Sequence, residues 1–211
     1  DVGVDIITGG KGIDTINAGD GTDTITGREG DDIITGGKGD DIITGGAGND
    51  IITGGAGSDT FNVDVGSDTI KDLSASDILV VSSGATANAT ISASYTATNL
   101  TKNDGIANLT IATADLSTDL SLASGSAGFN ITGSSGTDTI TATGKADIIT
   151  IAAAGKGDTD VMDGGADADV LQLSTGKHTF ADNDKLKNIE TIKTASGGSE
   201  VILSAQKEAL T

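Results

Sequence analysis

Aspartates recur at a fixed interval of nine residues through the first third of the chain. The series has no break and consists of Asp5, Asp14, Asp23, Asp32, Asp41, Asp50, Asp59 and Asp68. Carboxylates are the ligands that hard cations prefer, and carboxylates held close together repel one another unless a cation lies between them. The spacing therefore predicts a row of metal sites rather than a set of unrelated surface acids.

Two other positions keep the same phase, so the repeating unit is a nonapeptide with the aspartate in sixth place. Glycine fills the fourth place, at Gly3, Gly12, Gly21, Gly30, Gly39, Gly48, Gly57 and Gly66. A large apolar residue fills the eighth place, at Ile7, Ile16, Ile25, Ile34, Ile43, Ile52, Phe61 and Ile70. Glycine permits positive φ and β-branched residues favour strands, so each unit is predicted to be a turn followed by a short strand.

A turn and a strand in regular repetition wind a parallel coil, in which two units make one circuit of 18 residues. The eighth-place residues then stack inside in two columns, Ile16, Ile34, Ile52 and Ile70 in one and Ile7, Ile25, Ile43 and Phe61 in the other. The acids line two opposite edges, Asp5, Asp23, Asp41 and Asp59 on the first and Asp14, Asp32, Asp50 and Asp68 on the second. Converging carboxylates and carbonyls form an all-oxygen site, which favours Ca²⁺ over Mg²⁺ and over softer metals.

The complete nonapeptide pattern is GGxGxDxUx, where U is a large apolar residue. Four units match it at every defined place, namely "GGKGIDTIN" (9–17), "GGKGDDIIT" (36–44), "GGAGNDIIT" (45–53) and "GGAGSDTFN" (54–62). This pattern resembles the signature of the repeats-in-toxin (RTX) family of calcium-binding parallel β-rolls. The resemblance implies that several Ca²⁺ ions are each held by sixth-place aspartates and by loop carbonyls of two stacked turns. It makes metal ligands of the loop glycines Gly12, Gly21, Gly30, Gly39, Gly48 and Gly57.

The phase returns later in the chain, after a segment without it. Asp138 and Asp147 lie in sixth place, and the insertion "IAAA" (151–154) separates them from Asp160 and Asp169, each 22 residues after its counterpart. A circuit lengthened by the four inserted residues would still stack both pairs, which predicts a second calcium block with these four aspartates as ligands. Residues 82–128 between the blocks are rich in Ser, Thr and Ala and predict short strands of either a β-sandwich or a continued β-helix.

The predicted fold class is therefore all-β, a parallel β-roll followed by Ser/Thr/Ala-rich β segments and a second, degenerate β-roll. Three domains are expected: residues 1–81 as a calcium-binding roll with its cap, residues 82–128 as the β segment, and residues 129–211 as the second block with C-terminal strands. The chain begins at Asp1 without an apolar signal segment, so it is expected to be a piece of a longer protein.

Composition excludes several classes of function. The chain has 31 acidic and 12 basic residues and a net charge of −19, which repels nucleic acid and anionic membranes, and no apolar run is long enough to insert into a bilayer. His178 is the only histidine and cysteine is absent, so Ser/His/Asp, Cys/His and zinc sites are not supported. His178 is expected at the surface, and the chain is expected not to be an enzyme.

The order of degenerate turns, "DVLQL" (169–173) and "LKNIETIK" (186–193) is similar to that of self-assembling bacterial surface-layer (S-layer) proteins and large adhesins. This favours a secreted, calcium-binding structural module at the bacterial cell surface, foremost an S-layer subunit that self-associates into a lattice with Ca²⁺. The alternative is a C-terminal RTX module for type I secretion and folding of an exoenzyme or toxin. A third hypothesis is an ice-binding face, because Thr26, Thr35, Thr44 and Thr53 recur regularly in ninth place.

Overall fold

The computed structural model describes residues 2–75, 77–151, 160–180, 185–195 and 200–203. Within these ranges every regular element is a β-strand, and all strand pairs are parallel. The predicted all-β fold class with a parallel roll is confirmed. None of the described segments forms a helix of the length and apolarity that a bilayer crossing requires.

The N-terminal part is a coil with one strand in each nonapeptide. Its strands are β1 (Ile6–Thr8), β2 (Thr15–Asp20), β3 (Thr24–Glu29), β4 (Ile33–Lys38), β5 (Ile42–Gly48), β6 (Ile51–Ala56), β7 (Thr60–Val63), β8 (Val65–Ala75) and β9 (Ile78–Val81). Alternate strands pair, so β1, β3, β5, β7 and β9 form one sheet and β2, β4, β6 and β8 form the other. Ile25 lies beside Ile43 and Ile34 beside Ile52, which confirms the circuit of 18 residues.

The core of this coil is the double column of eighth-place residues. Ile25, Ile34, Ile43, Ile52 and Phe61 are completely buried, as the sequence predicted, whereas seventh-place residues face outward. Each circuit therefore contributes only two large side chains to the interior. Because the hydrophobic stabilisation scales with buried apolar area, the inner columns alone give a thin core.

The same coil continues through the middle of the chain. Its strands are β10 (Thr86–Thr96), β11 (Lys102–Asn103), β12 (Ile106–Ile111), β13 (Ser117–Asp119) and β14 (Ser124–Gly125). Their pairing is parallel throughout, so of the two alternatives the continued β-helix is correct. The circuit lengthens here, since Thr86 lies beside Ile106 and Ala107 beside Phe129. A ladder of amides connects successive circuits, with Asn108 donating to Asn88 (2.9 Å) and Asn130 to Asn108 (2.8 Å).

Strand pairing crosses both expected domain boundaries. β8 pairs with β10 across residues 81 and 82, and β12 pairs with the strand that begins at Phe129. The described residues thus form one uninterrupted stack at these two points. The division into three domains stays a prediction, which cooperative unfolding in one or in several steps would test.

The C-terminal part returns to paired short strands. They are β15 (Phe129–Thr132), β16 (Thr139–Thr141), β17 (Ile148–Ile151), β18 (Val161–Asp163), β19 (Val170–Leu173), β20 (Lys177–Phe180), β21 (Leu186–Lys187), β22 (Thr191–Thr194) and β23 (Glu200–Leu203). Thr139 lies beside Val161 and Ile148 beside Val170, which confirms the predicted circuit of 22 residues. Residues 152–159, with most of the insertion and the loop before Asp160, and residues 204–211 lie outside the described ranges.

His178 is not at the surface, so that expectation was wrong. It lies on β20, where it and Phe180 are both completely buried. Alternate residues of a strand face the same side, so the burial of Phe180 brings His178 to the interior too. Its ring nitrogen Nε2 lies 3.1 Å from the carbonyl oxygen of Ser174, which satisfies one polar atom of the buried ring.

The fourth-place glycines carry the tight stacking of the turns. Gly39 has φ of +116°, and a Cβ there would collide with the carbonyl oxygen of Gly21 in the preceding circuit. Gly84 also has positive φ, at +86°, but a Cβ there would meet open space. Substitutions at these two positions therefore distinguish the effect of backbone strain, present at both, from the effect of a collision between turns, present only at Gly39.

We expect Gly84→Ala to lower the free energy of unfolding by about 1 to 3 kcal/mol through backbone strain, and Gly39→Ala to lower it clearly more. Urea denaturation in saturating Ca²⁺, followed by far-UV circular dichroism, measures both values. Equal losses in the two variants would show that close stacking of the turns does not depend on this glycine.

Candidate metal centre

A ladder of hydrogen bonds joins the sixth-place aspartates along both edges of the first roll. In each case the backbone N–H of one aspartate donates to Oδ1 of the aspartate one circuit later. The distance is 2.7 Å from Asp14 to Asp32, 2.8 Å from Asp32 to Asp50 and 3.1 Å from Asp50 to Asp68. The other edge repeats the arrangement from Asp5 through Asp23 and Asp41 to Asp59. The two predicted edges are thus present, and from Asp23 onward each carboxylate is held in the ladder through Oδ1.

The second carboxylate oxygen has no partner in most of these turns. Oδ2 is buried and without a hydrogen bond in Asp23, Asp32, Asp41, Asp50 and Asp68, and likewise in Asp169 of the second block. A buried carboxylate oxygen that loses water without gaining a partner is strongly unfavourable. Such an oxygen needs a cation or a proton beside it.

In the loops of Asp32, Asp41, Asp50 and Asp169 the space beside the unpartnered oxygen is kept open by a first-place glycine. A Cβ on Gly27 would collide with Oδ2 of Asp32 and with the carbonyl oxygen of Gly45, one circuit later. Gly36 lies in the same way against Oδ2 of Asp41 and the carbonyl of Gly54. A carboxylate oxygen and a carbonyl oxygen therefore converge on a place that only glycine leaves free. This donor set suits a hard cation such as Ca²⁺.

Backbone oxygens are essential to such a site. The described residues contain no group of three or more His, Cys, Asp or Glu side chains that could hold a metal by themselves. The unpartnered oxygens of Asp32 and Asp41 lie toward first-place carbonyls. The carbonyls of the fourth-place glycines Gly12, Gly21, Gly30, Gly39 and Gly48 instead stack against the fourth-place glycine one circuit later. The ligand roles of those glycines, and of Gly57, stay predictions.

Burial and stacking oppose ionisation of the aspartates. Burial raises the pKa of Asp59 to about 7, with a further contribution from the carboxylates of Asp77 and Asp41 and an opposing one from the N–H of Asp41. Burial and the neighbouring Asp50 carboxylate raise the pKa of Asp68 to about 7 as well. The pKa of Asp41 and that of Asp50 are raised for the same reasons. Negative charge in the ladder is therefore unfavourable in the absence of a compensating cation.

The second block builds the ladder across its longer circuits. Asp138 N–H donates to Oδ1 of Asp160 and Asp147 N–H to Oδ1 of Asp169, both at 2.8 Å, so the predicted pairs are stacked. Phe129 N–H donates to Oδ1 of Asp147, although Phe129 has no carboxylate to contribute. Burial raises the pKa of Asp169 to about 6, helped by the neighbouring carboxylates of Asp147, Glu190 and Asp167.

Several acids of the ladder escaped the sequence analysis. Asp77 lies nine residues after Asp68, and its Oδ1 accepts the N–H of Asp59 at 2.9 Å. The interval of nine residues was enough to predict Asp77 as a member of the ladder, but the unit around Asp77 lacks the glycines of the repeat. Asp72 accepts the N–H groups of Gly54 and Gly55, both at 2.9 Å, and so closes the last glycine-rich loop of its edge.

Glu190 extends the ladder at the other end of the molecule. Its Oε2 accepts the N–H of Asp169 at 2.7 Å, the place that a sixth-place aspartate takes elsewhere. Residues 185–193 are in fact a degenerate nonapeptide, with Asn188 in fourth place at φ of +49°, Glu190 in sixth and Ile192 in eighth. The segment "NIETI" (188–192) can be recognised as a repeat only if Glu is accepted in place of Asp and Asn in place of Gly.

Comparison with known proteins agrees with the repeat. A family model described as the RTX calcium-binding nonapeptide repeat matches four segments, at residues 1–34, 35–70, 132–150 and 154–176. Together these segments cover more than half of the chain. Neither the curated proteins nor the solved structures include a significant match.

The raised pKa values predict how the calcium-free roll responds to pH. A carboxyl whose pKa is about 7 in the fold and about 3.9 in the unfolded chain contributes stability below pH 4 that is lost as the pH rises through 7. We therefore expect calcium-free protein to show more β structure at pH 5 than at pH 8 in far-UV circular dichroism.

The variant Asp59→Asn/Asp68→Asn replaces both carboxylates by neutral amides whose oxygens can still accept the ladder hydrogen bonds. In the calcium-free state it should be more folded than the natural sequence at pH 8 and respond less to pH. A calcium-free protein that becomes more folded as the pH rises would contradict the prediction.

Proposed function

The chain belongs to the family of RTX calcium-binding nonapeptide repeats, and on that premise we propose that it is a calcium-folded building unit of a bacterial surface layer. Repeats of this family mark calcium-binding structural modules of secreted proteins. The observation that carries the proposal is the row of buried, unpartnered Oδ2 atoms, which in the loops of Asp32 and Asp41 face first-place carbonyls. We assign these oxygens to Ca²⁺ in the loops that end at Asp23, Asp32, Asp41, Asp50 and Asp68, and the same edges include Asp5, Asp14 and Asp59.

The two carboxylate oxygens have different roles in such a site. In the loops of Asp32, Asp41 and Asp50, Oδ1 accepts the N–H of the aspartate one circuit earlier and so orients the carboxylate, while Oδ2 points into the space that the first-place glycine leaves free. Ca²⁺, when bound, supplies the positive charge that lets stacked carboxylates remain ionised. The glycine carbonyl completes the oxygen set without adding charge.

Folding should consequently depend on calcium. The thin isoleucine core is opposed by buried negative charge, and the whole chain carries a net charge of −19. Low calcium inside the cell would keep the first roll unfolded, which suits export as an extended chain through type I secretion. Outside the cell, calcium at roughly millimolar concentration would fold it.

A structural role on the cell surface fits the shape of the stack better than a role as a short secretion module. Parallel pairing continues from β1 to β22, far beyond the last complete nonapeptide of the first roll. Stacked repeats of this kind make a stiff body whose stability comes from neighbouring circuits. The alternative, a secretion and folding module of an exoenzyme or toxin, shares the calcium chemistry but predicts no ordered self-association.

Calcium dependence is tested most sharply at one central aspartate. Asp32→Ala removes the acceptor of the Asp14 N–H and an unpartnered Oδ2, so the calcium midpoint of folding should rise several-fold. Asp31→Ala is the matched control, because it removes the same charge one residue away, where Oδ1 accepts the N–H of Asn49 at the exposed surface. Equal midpoints in a calcium titration followed by circular dichroism would refute the ladder of sites.

Assembly needs a separate experiment on the full-length protein. Calcium in the millimolar range should produce ordered sheets in negative-stain electron microscopy, whereas the same concentration of magnesium should not. Protein that binds calcium and folds, yet remains monomeric at every concentration, would favour the secretion module over the surface layer.

A further inference from the structure

Two kinds of loop recur among those before the sixth-place aspartates. In an open loop, Oδ2 of the aspartate has no partner and the second-place residue has positive φ, as in the loop of Arg28 (φ +87°) and Asp32. The loops of Asp23, Asp41 and Asp50 are open in the same sense, with second-place glycines at φ between +108° and +132°. In a clasped loop, a Ser or Thr three or four residues earlier donates both its N–H and its hydroxyl to the carboxylate.

Two loops of the second block are clasped. Ser134 donates its N–H (2.7 Å) and its hydroxyl (2.9 Å) to Oδ2 of Asp138. Thr143 donates both groups to Oδ2 of Asp147, each at 2.8 Å. Asp77, at the end of the first roll, is clasped by Ser74 in the same way. The terminal loop of Asp14 has the N–H contact alone, from Gly10 at 2.6 Å, since glycine has no hydroxyl.

A clasp gives the second carboxylate oxygen the hydrogen-bond donors that it lacks in an open loop. Two donors aimed at one oxygen stabilise its negative charge, and they occupy the directions from which a cation would approach. The clasped aspartate is therefore satisfied by the protein alone.

One described loop of the second block is open. Gly165 has φ of +98°, and Asp169 is completely buried with an unpartnered Oδ2. A Cβ on Gly164 would collide both with that oxygen and with the carbonyl oxygen of Asn188. Glu190 is the next member of the ladder. Its Oε2 accepts a hydrogen bond from the N–H of Asp169, and its side chain is exposed. Oδ2 of Asp169 and the carbonyl oxygen of Asn188 thus converge at this loop, and the Glu190 carboxylate lies beside it on the N–H of Asp169.

We infer that Ser134 and Thr143 replace the cation at Asp138 and Asp147, and that calcium binds instead in the loop of Asp169, completed by the Asn188 carbonyl and by Glu190. This rests on the proposed calcium binding of the open loops. It gives Asp138 and Asp147 a structural role in place of the predicted ligand role. The loop before Asp160 lies outside the described residues and is not part of the assignment.

The new site is tested by counting ions on the whole chain. After dialysis against saturating Ca²⁺, elemental analysis should find one ion fewer per chain in Asp169→Asn, and Glu190→Gln should bind that ion about tenfold more weakly because a ligand charge is lost. Glu190→Gln keeps an oxygen that can accept the N–H of Asp169, so the fold is preserved. Asp104→Asn, which removes one charge beside Lys102 outside both calcium blocks, is the control and should leave both values unchanged.

The clasps are tested by hydrogen exchange in calcium-free protein. We expect β16 and β17 to stay protected without calcium while β3 to β6 exchange freely. Ser134→Ala/Thr143→Ala should lower the protection of β16 and β17 by about tenfold or more, because a charged hydrogen bond is lost at each site. Ser134→Thr/Thr143→Ser, which exchanges one hydroxyl for another, should retain it.

The two proposals fail in different ways. If calcium protects β3 to β6 but Asp169→Asn loses no ion, or β16 and β17 need calcium as much as the first roll does, the inference is overturned and the proposed function stands. If calcium leaves β3 to β6 unprotected, both are overturned.

Discussion

The hydrogen bond from the N–H of one sixth-place residue to the carboxylate one circuit later is the interaction on which the architecture depends. It appears in both edges of the first roll and again across the longer circuits of the second block. The bond fixes the register of successive turns, but it also buries a carboxylate and uses only one of its oxygens. The other features of the loops follow from how the second carboxylate oxygen obtains a partner.

Three solutions to that problem exist within this one chain. An open loop leaves Oδ2 unpartnered beside a glycine and a carbonyl, which creates a place for a cation. A clasped loop satisfies Oδ2 with a Ser or Thr hydroxyl and its N–H. Protonation is the third, and burial makes it accessible by raising the pKa of Asp59 and of Asp68 to about 7. A second-place Gly, or Arg28, with positive φ accompanies an open loop, and a second-place Ser134 or Thr143 accompanies a clasp. At Asp77 the clasping Ser74 is in third place.

The spacing of residues in the sequence was enough to predict the coil, its core columns and its acidic edges. In a coil with circuits of constant length, residues at a fixed interval in the sequence stack directly on one another. The phase of nine gave both columns of the core and both acidic edges. It did not reveal the clasps, because Ser134 and Thr143 look like ordinary substitutions for glycine until the φ of the loop is known. Glu190 was missed because the last unit has Glu in place of Asp and Asn in place of Gly. The burial of His178 was missed because it depends on which side of β20 faces the core. In residues 82–128 the circuit length varies, so periodicity could predict strands but not their partners.

The positions of the two loop types suggest how calcium acts on the stack as a whole. Open loops cluster between Asp23 and Asp68, and the clasp at Asp77 follows directly. Beyond it, the amide ladder of Asn88, Asn108 and Asn130 joins successive circuits. The clasps at Asp138 and Asp147 supply hydrogen-bond donors to these carboxylates from within their own loops. Because each circuit of a solenoid is stabilised by its neighbours, this self-sufficient part offers β8 and β9 a formed surface on one side. On the proposed assignment, calcium then adds circuits to that surface from Asp68 toward Asp5, so the acidic first roll is the part of the molecule that calcium switches.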